Sequence, residues 1–287
     1  MITTSGVTAT QRISGQRAEL KMRLGVKDGR TVIIGAFNTG PLKIAKPFYL
    51  EPETGGIYLC QMCTGGGLAQ GDDYRQEIDV GPGACVFLTT QASTKIYRME
   101  DSFARQVNVF KVAEGAIFEY LPEPLVPFSG SRYVGETEVF LTGRATAFLG
   151  EIITPGRATR GEVFEFDYYN SVTRVYWDDE LVFWNNQMLN AQSGLSRLGL
   201  YDGYTHQGSF LIFSEKVNQD LADRLHDLLA GRPDIMASAS LTLKNGIAVR
   251  LLGNRASHLE EAIYNCWGLA RWQITGLPPL NLRKVGS

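Results

Sequence analysis

No stretch of this chain approaches the ~18 consecutive apolar residues that a membrane-crossing helix needs. Its opening residues, MITTSGVTATQRISGQ, also lack the apolar centre of a signal peptide. A protein of the cytoplasm, with no membrane partner, is expected. Cysteine is scarce: Cys60, Cys63, Cys85 and Cys266 are too few for a disulfide framework in 287 residues. Histidine is scarcer. His226 and His258 have no metal-binding companion at helical spacing and read as surface residues, and His206 reads as structural. Neither sign of charge is in excess, with 28 Lys and Arg against 30 Asp and Glu. A nucleic-acid ligand is therefore not expected. Also missing are a serine nucleophile elbow, an HExxH helix and a Rossmann fingerprint. The absence of any catalytic set argues against an enzyme.

What the chain has is strand and turn chemistry: 31 glycines, 10% aromatics and apolar residues at 44%. The stretch from Gly65 to Arg98 is the densest in features. A glycine turn delivers Asp72 and Asp73, a strand DYRQEIDV follows, Gly81-Pro82-Gly83 turns it, and ACVFLTT returns. That pattern predicts a hairpin. Further hairpins are expected at Lys27-Asp28-Gly29, Asp178-Asp179 and Asn245-Gly246. Gly161–Tyr168 is expected to belong to the long β run. Three segments beginning at Val80, Val112 and Leu141 resemble one another, each an apolar residue, a glycine turn and a returning apolar strand. A recurrence of about 30 residues suggests stacked coils over a flat sheet. The expected fold is mainly β, an elongated β-solenoid-like stack of hairpins, with an ordinary sandwich as the alternative.

Helices come late. Ser214–Ala230 carries Leu221, Leu225 and Leu229 on one face, and a second helix starts at Ser257 with Glu260 completing a capping box. The expected organisation is one domain over 1–287. It has a β body to residue 200, a module of two helices around a hairpin over 200–275, and a tail from 276.

Cys60-Gln61-Met62-Cys63 is a CxxC without a second ligand pair, so it reads as ordinary strand. The glycines at 65–67 and 71 lack the Gly-Lys-[Ser/Thr] of a phosphate loop. Asp72 and Asp73 are either turn residues accepting backbone N–H bonds or ligands for a hard or borderline cation. Glu151 and Glu162 flank Pro155-Gly156 with Arg157 and Arg160 between them. They suit acid–base work, loose metal binding or surface ion pairs. Lys95, Tyr97 and Arg98 gather at the end of the central stretch and are candidates for partner binding. So are LPEPLVPF and the second helix with Trp267 and Trp272, unless these pack on the β body.

Four ordered motifs carry a resemblance. They are GPLKIAKPFY at 40–49, the central stretch with VGPGA and LTTQASTKIYR, FEYLPEPLVPFSGSRY at 118–133, and EIITPGRATRGEVFEF at 151–166. Together they resemble the urease accessory protein UreD family, called UreH in some bacteria, from about residue 20 to 275. The resemblance implies a non-catalytic maturation protein shaped as an elongated β-solenoid with a small helical part. It implies binding to apo-urease and to UreF, recruitment of the GTPase UreG through UreF, and a two-fold heteromeric complex. It also implies that nickel passes in transit through an interior tunnel to the paired metal site of urease, with no tightly bound cofactor. On this likeness Asp72, Glu151 and Glu162 fall on the metal path. The chain departs from the family at Gln70-Gly71, where a double glycine is usual, and at Trp184-Asn185-Asn186. The rival reading is a β-solenoid carbohydrate-active enzyme pairing Asp72 or Asp73 with Glu151 or Glu162.

Overall fold

The computed structural model describes residues 15–282 except 192, 193, 196 and 198. The chain begins with β1 (Arg17–Lys27), β2 (Arg30–Asn38), β3 (Leu42–Ile44), β4 (Ile57–Cys63), β5 (Asp73–Val80) and β6 (Cys85–Thr90). It continues through β7 (Thr94–Ile96), β8 (Ala104–Val112), β9 (Ile117–Tyr120), β10 (Leu125–Pro127), β11 (Arg132–Leu141) and β12 (Thr146–Ile153). β13 (Tyr168–Trp177), β14 (Glu180–Asn190) and β15 (His206–Phe213) lead into α1 (Gln219–Ala230), β16 (Ile235–Leu241), β17 (Gly246–Gly253) and α2 (Ala256–Thr275).

From β4 to β13, the short β7 and β10 aside, successive strands alternate between two sheets. The first runs β14-β13-β11-β8-β5-β1-β2 and the second β16-β17-β15-β12-β9-β6-β4-β3. Within each, the strands of the central body are parallel: β5, β8, β11 and β13 in one, β4, β6, β9 and β12 in the other. Short strands β7 and β10 pair in parallel on a third side. The result is a stack of coils, the expected β-solenoid-like architecture.

The Gly81-Pro82-Gly83 turn does not make the expected hairpin. β5 and β6 lie in different sheets, so the turn is a corner, and corners stack on corners. Gly83 N–H donates to Glu114 O, Ala113 N–H to Val80 O and Thr142 N–H to Val112 O. Pro82 has no N–H to offer a facing strand, and a strand that already has two parallel neighbours has no free edge for a returning one. The resembling segments at Val80, Val112 and Leu141 are successive copies of this corner, in register with one another.

True hairpins occur where the stack ends. β1–β2, β13–β14 and β16–β17 are antiparallel, as expected. The first two turn on Asp28-Gly29 (φ 51° and 74°) and Asp178-Asp179 (φ 48° and 66°), the left-handed pair that a tight hairpin demands. Gly161–Tyr168 is not a strand. A 3-10 turn at Ala158–Arg160 ends in Gly161 at φ 85°, and Phe164 at φ 57° breaks the extended path until β13 begins. α1 starts at Gln219, later than expected, because Asn218 is the better cap: its side-chain oxygen accepts Leu221 N–H at 2.9 Å. The capping box at Ser257 does not form. Arg255 holds the cap position of α2, which leaves Ser257 inside the first turn.

Two apolar layers result. One fills part of the space between the sheets. The other lies between the outer face of the second sheet and the two helices, around Phe148, Phe210, Leu225, Ile263 and Trp267. Neither described helix is long and apolar enough to cross a membrane.

Candidate functional site: a polar lumen and a helix clamp

In each coil, inward side chains recur every second residue, and the parallel register stacks them into rows. Met22, Ile78, Phe110, Val139 and Val175 form one apolar row, and Leu24, Val80, Val112, Leu141 and Trp177 form the next. The row one step earlier along the strands is polar: Gln76, Asn108, Thr137, Thr173 and, on β14, Asn185. A row of Tyr74, Gln106, Gly135 and Ser171 precedes it. The second sheet answers with Gln61, Thr90, Glu151, Ser209 and Arg250 toward the same end. The interior is therefore half apolar core and half polar lumen.

The polar half encloses a cavity of about 400 Å³, lined from both sheets and from Lys95 and Leu125 on the third side. Its polar groups are partly linked. Gln106 Nε2 donates to Asn108 Oδ1 at 3.3 Å, and Asn108 Nδ2 to Thr137 Oγ1 at 3.2 Å. Arg250 donates to Ser209 Oγ at 2.7 Å and to Asn185 Oδ1 at 3.0 Å. Oε1 of Gln61 has no protein partner, and neither do the two amide atoms of Gln76, which is 2% exposed and belongs to the polar row but not to the cavity lining. Buried amides without partners carry a desolvation penalty of about 1–3 kcal/mol each. Gln61 faces the cavity, where water or a polar solute can meet its free oxygen.

Glu151 is one of two carboxylates that line this lumen, beside Glu123. It reaches in from β12, accepts the Tyr169 hydroxyl and lies 3.4 Å from Ser171 Oγ. Tyr120, Tyr133 and Tyr169 surround it. Burial, and after it the charge of Glu151, holds their hydroxyls well above the usual range, so they stay protonated and able to donate. A second cavity of about 370 Å³ shares Gly150, Glu151 and Ile152 with the first and opens beneath Ile263 and Tyr264 of α2.

The other carboxylates expected on a metal path lie elsewhere. Asp72 is 6% exposed and saturated. Oδ1 accepts Gln16 N–H and Oδ2 accepts Ala69 N–H, both at 2.8 Å. The geometry is that of a turn residue. Glu162 pairs with Arg157, whose guanidinium stacks 4.3 Å from the centre of Phe128 on the third side. Among the described residues, no group of three or more His, Cys, Asp and Glu side chains is arranged to hold a metal ion. Lys95 is exposed at the cavity mouth, Tyr97 donates to Gly66 O at 3.1 Å beside it, and Arg98 is exposed. Trp272 is 59% exposed, but Trp267 is fully buried. The expectation of Trp267 on a partner surface is corrected: its ring packs on Phe87, and its Nε1–H donates to Glu119 Oε1 at 2.9 Å.

That last contact belongs to a cluster the sequence did not reveal. Arg271, 1% exposed, donates to Glu119 Oε1 at 2.9 Å and to both oxygens of Glu51 at 3.1 and 2.8 Å. One cation thus serves two carboxylates and pins α2 to the second sheet. Burial raises the Glu119 carboxyl to about 7 against the opposing pull of Arg271, and its Oε2 has no partner. Burial works to lower the Arg271 pKa, but the bonds to Glu51 and the charges of both carboxylates raise it overall, so Arg271 stays charged. The polar row had a signal in the sequence. Gln76, Asn108, Thr137 and Thr173 each stand four residues before a corner position, Val80, Val112, Leu141 and Trp177. Glu119, Glu51 and Arg271 had none, because they come from distant segments.

Residues 16–285 match the family model described as UreD urease accessory protein. A urease accessory protein UreD of Acetivibrio thermocellus is 36% identical over 250 residues, covering 87% of this chain and 95% of that protein. One from Bacillus sp. strain TB-90 is 32% identical over 266 residues, covering 92% and 97%. Urease accessory protein UreD 2 of Streptomyces griseus is 34% identical over 274 residues, covering 92% of each. With a match over nearly its whole length, and relatives named as helpers of an enzyme and not as enzymes, the chain belongs to the UreD family of urease accessory proteins.

Proposed function

We propose that this chain is a cytoplasmic scaffold for urease maturation. It binds apo-urease and UreF, gathers UreG through UreF, and gives nickel a water-lined way through its own body. The observation that carries the reading is the polar lumen with the unpartnered Oε1 of Gln61 and two lining carboxylates, Glu123 and Glu151. A hydrated divalent cation in transit needs oxygen donors that bind weakly and release. Amide and hydroxyl rows with two carboxylates meet that need, whereas a closed cage of thiolates and imidazoles would trap the ion. Asp72 and Glu162 act on this reading as supports of the lumen mouth and the third side. Lys95, Tyr97, Arg98 and Trp272 are offered as partner contacts. The chain works as one unit, because β15 of the C-terminal module pairs along β12 of the body from Ala147–Phe213 to Ile153–Gln207.

The test is complementation in cells that lack the endogenous homologue but hold the cognate urease and its other accessory proteins. Urease activity, urease nickel content and UreF pull-down are measured together. The wild type restores all three. Glu151→Gln is expected to keep UreF binding while leaving urease nickel-poor. Failure of the wild type sinks the maturation reading, and full nickel loading with Glu151→Gln removes that carboxylate from the path.

A further inference from the structure

The lumen runs across the coils, from Leu42 on β3 to Asn185 on β14 and Ser209 on β15. On the second sheet its polar lane passes from Gln61 and Thr90 to Glu151 and Ser209. The lining stops at Ser209 and Asn185, and these are the two groups that Arg250 holds. Nη1 donates to Ser209 Oγ at 2.7 Å and Nη2 to Asn185 Oδ1 at 3.0 Å. Arg250 thus reaches from β17 across the end of the lane to β14 of the other sheet.

Both of these acceptors are neutral, so they leave the charge of Arg250 in place. In register, Glu151 stands opposite Ser209 and Ser209 opposite Arg250. The carboxylate and the guanidinium therefore rise from backbones two strand spacings apart, roughly 10 Å. Burial lowers the Arg250 pKa, and the charge of Glu151 counters part of that pull. An arginine in a protein nevertheless remains a cation. Lys95, the basic residue of the lining, is exposed at the mouth, where solvent and salt screen it. Arg250 is half-buried and screened much less.

The second cavity offers a way round this end. It shares Glu123, Gly150 and Glu151 with the lumen and continues to Glu260 and Tyr264 of α2. Its described lining holds Glu123, Glu151 and Glu260 and no basic side chain. Gly150 leaves room between the two spaces. A Cβ there would stand 2.8 Å from Leu121 Cδ2 and 3.7 Å from Ile263 Cγ2, and both of those residues line the second cavity.

We propose, on the reading of the lumen as a cation way, that Arg250 bars its far end, so that a divalent ion held at Glu151 leaves sideways, past Gly150 into the cavity beneath α2. An ion moving from Glu151 toward Ser209 approaches a fixed like charge, whereas the side cavity meets it with carboxylates. The same repulsion loosens the hold of Glu151 on the ion, which favours release over trapping.

The test measures binding of nickel(II) to the full chain by calorimetry, and urease nickel content in the complementation assay. Arg250→Gln removes the charge and keeps an amide that can donate to Ser209. It is expected to tighten nickel binding roughly tenfold, because a doubly charged ion loses a like charge at this range. Arg250→Lys keeps the charge and is expected to bind nickel as the wild type does. Gly150→Val fills the gap and is expected to leave urease nickel-poor while the chain still binds nickel. Gly150→Ala, a smaller plug, is expected to do so in part. Arg250→Ala added to Gly150→Val opens the end of the lumen and is expected to restore part of the nickel. Melting curves establish that each variant is folded. If Arg250→Gln leaves the affinity unchanged, or if Gln and Lys at this position act alike, Arg250 is a strut between the sheets and the barrier is overturned. Full nickel loading with both folded Gly150 variants overturns the sideways exit. Failure of the cation reading itself shows differently, since Glu151→Gln then binds nickel as tightly as the wild type, and the barrier falls with it.

Discussion

Replacing Arg271 by Met tests the clamp that holds α2 on the second sheet. The change keeps most of the side-chain volume and removes one buried cation from two carboxylates, Glu119 at 2.9 Å and Glu51 at 2.8 Å. Breaking a buried ion pair from one side costs about 3–5 kcal/mol, most of it the penalty of the charge left behind. For a chain this long that is a fall in Tm of about 6–10 °C. The size should depend on pH. In the native protein burial raises the Glu119 carboxyl to about 7 from an ordinary 4.5. The folded state therefore holds more protons than the unfolded one between those values. The stability this group contributes is full below 4.5 and lost as pH rises through about 7. Without Arg271 the carboxyl gains further reason to stay protonated, so Arg271→Met should cost much less at pH 5 than at pH 8. Glu119→Gln imitates the protonated acid. It should be near neutral at pH 5, stabilising at pH 8, and in combination with Arg271→Met should recover much of the loss. Thermal melts of the four proteins at the two pH values decide it. A loss below about 1 kcal/mol at pH 8, or one equal at both pH values, refutes the account of a desolvated carboxylate held by a shared cation.

Other consequences follow from single contacts. Asp72→Ala strands two backbone N–H groups and should lower stability by about 1–3 kcal/mol in chemical denaturation, with Asp72→Asn losing less because one acceptor remains. His206 is lowered by burial to about 4 from 6.5, so the stability it lends is full above 6.5 and lost as pH falls through about 4. His206→Gln should flatten the acid side of the melting curve, by up to about 3 kcal/mol, and an unaltered slope between those values would show that another group sets it. Gly67 sits at φ 156° with Lys95 O 2.5 Å from where a Cβ would stand. Gly67→Ala should therefore cost at least about 1–3 kcal/mol and loosen the cavity mouth, seen as faster hydrogen exchange at Leu68 and Tyr97.

The architecture was legible in the sequence because a repeated corner leaves a repeated trace, as at Val80, Val112 and Leu141. The local partner of each strand was not. A glycine-proline-glycine turn is compatible with both a hairpin and a corner, and only the neighbours above and below a coil decide between them. Of the expected site residues, Glu151 stands in the lumen. Asp72 had two readings, and its two backbone donors select the turn. Trp267 on the apolar stripe of α2 was legible as buried or as sticky, and Glu119 makes it buried. The Arg271 cluster joins residues 51, 119 and 271, a separation no local pattern records.

The stack of parallel coils also bears on how the chain is made. Neighbouring strands such as β5, β8 and β11 lie about thirty residues apart in sequence, and closing a loop of that length costs nearly the same entropy each time. Coils can therefore be added in the order of synthesis, each on a finished neighbour. β12 is the exception. Its further edge is met by β15, which leaves the ribosome only after the β13–β14 hairpin and the segment beyond it. Until then one edge of TAFLGEII, an apolar strand with one charge, stands unpaired on a growing chain. That interval is where a nascent molecule is most open to sticking to its neighbours, and where a slow translation step or a bound chaperone would matter most.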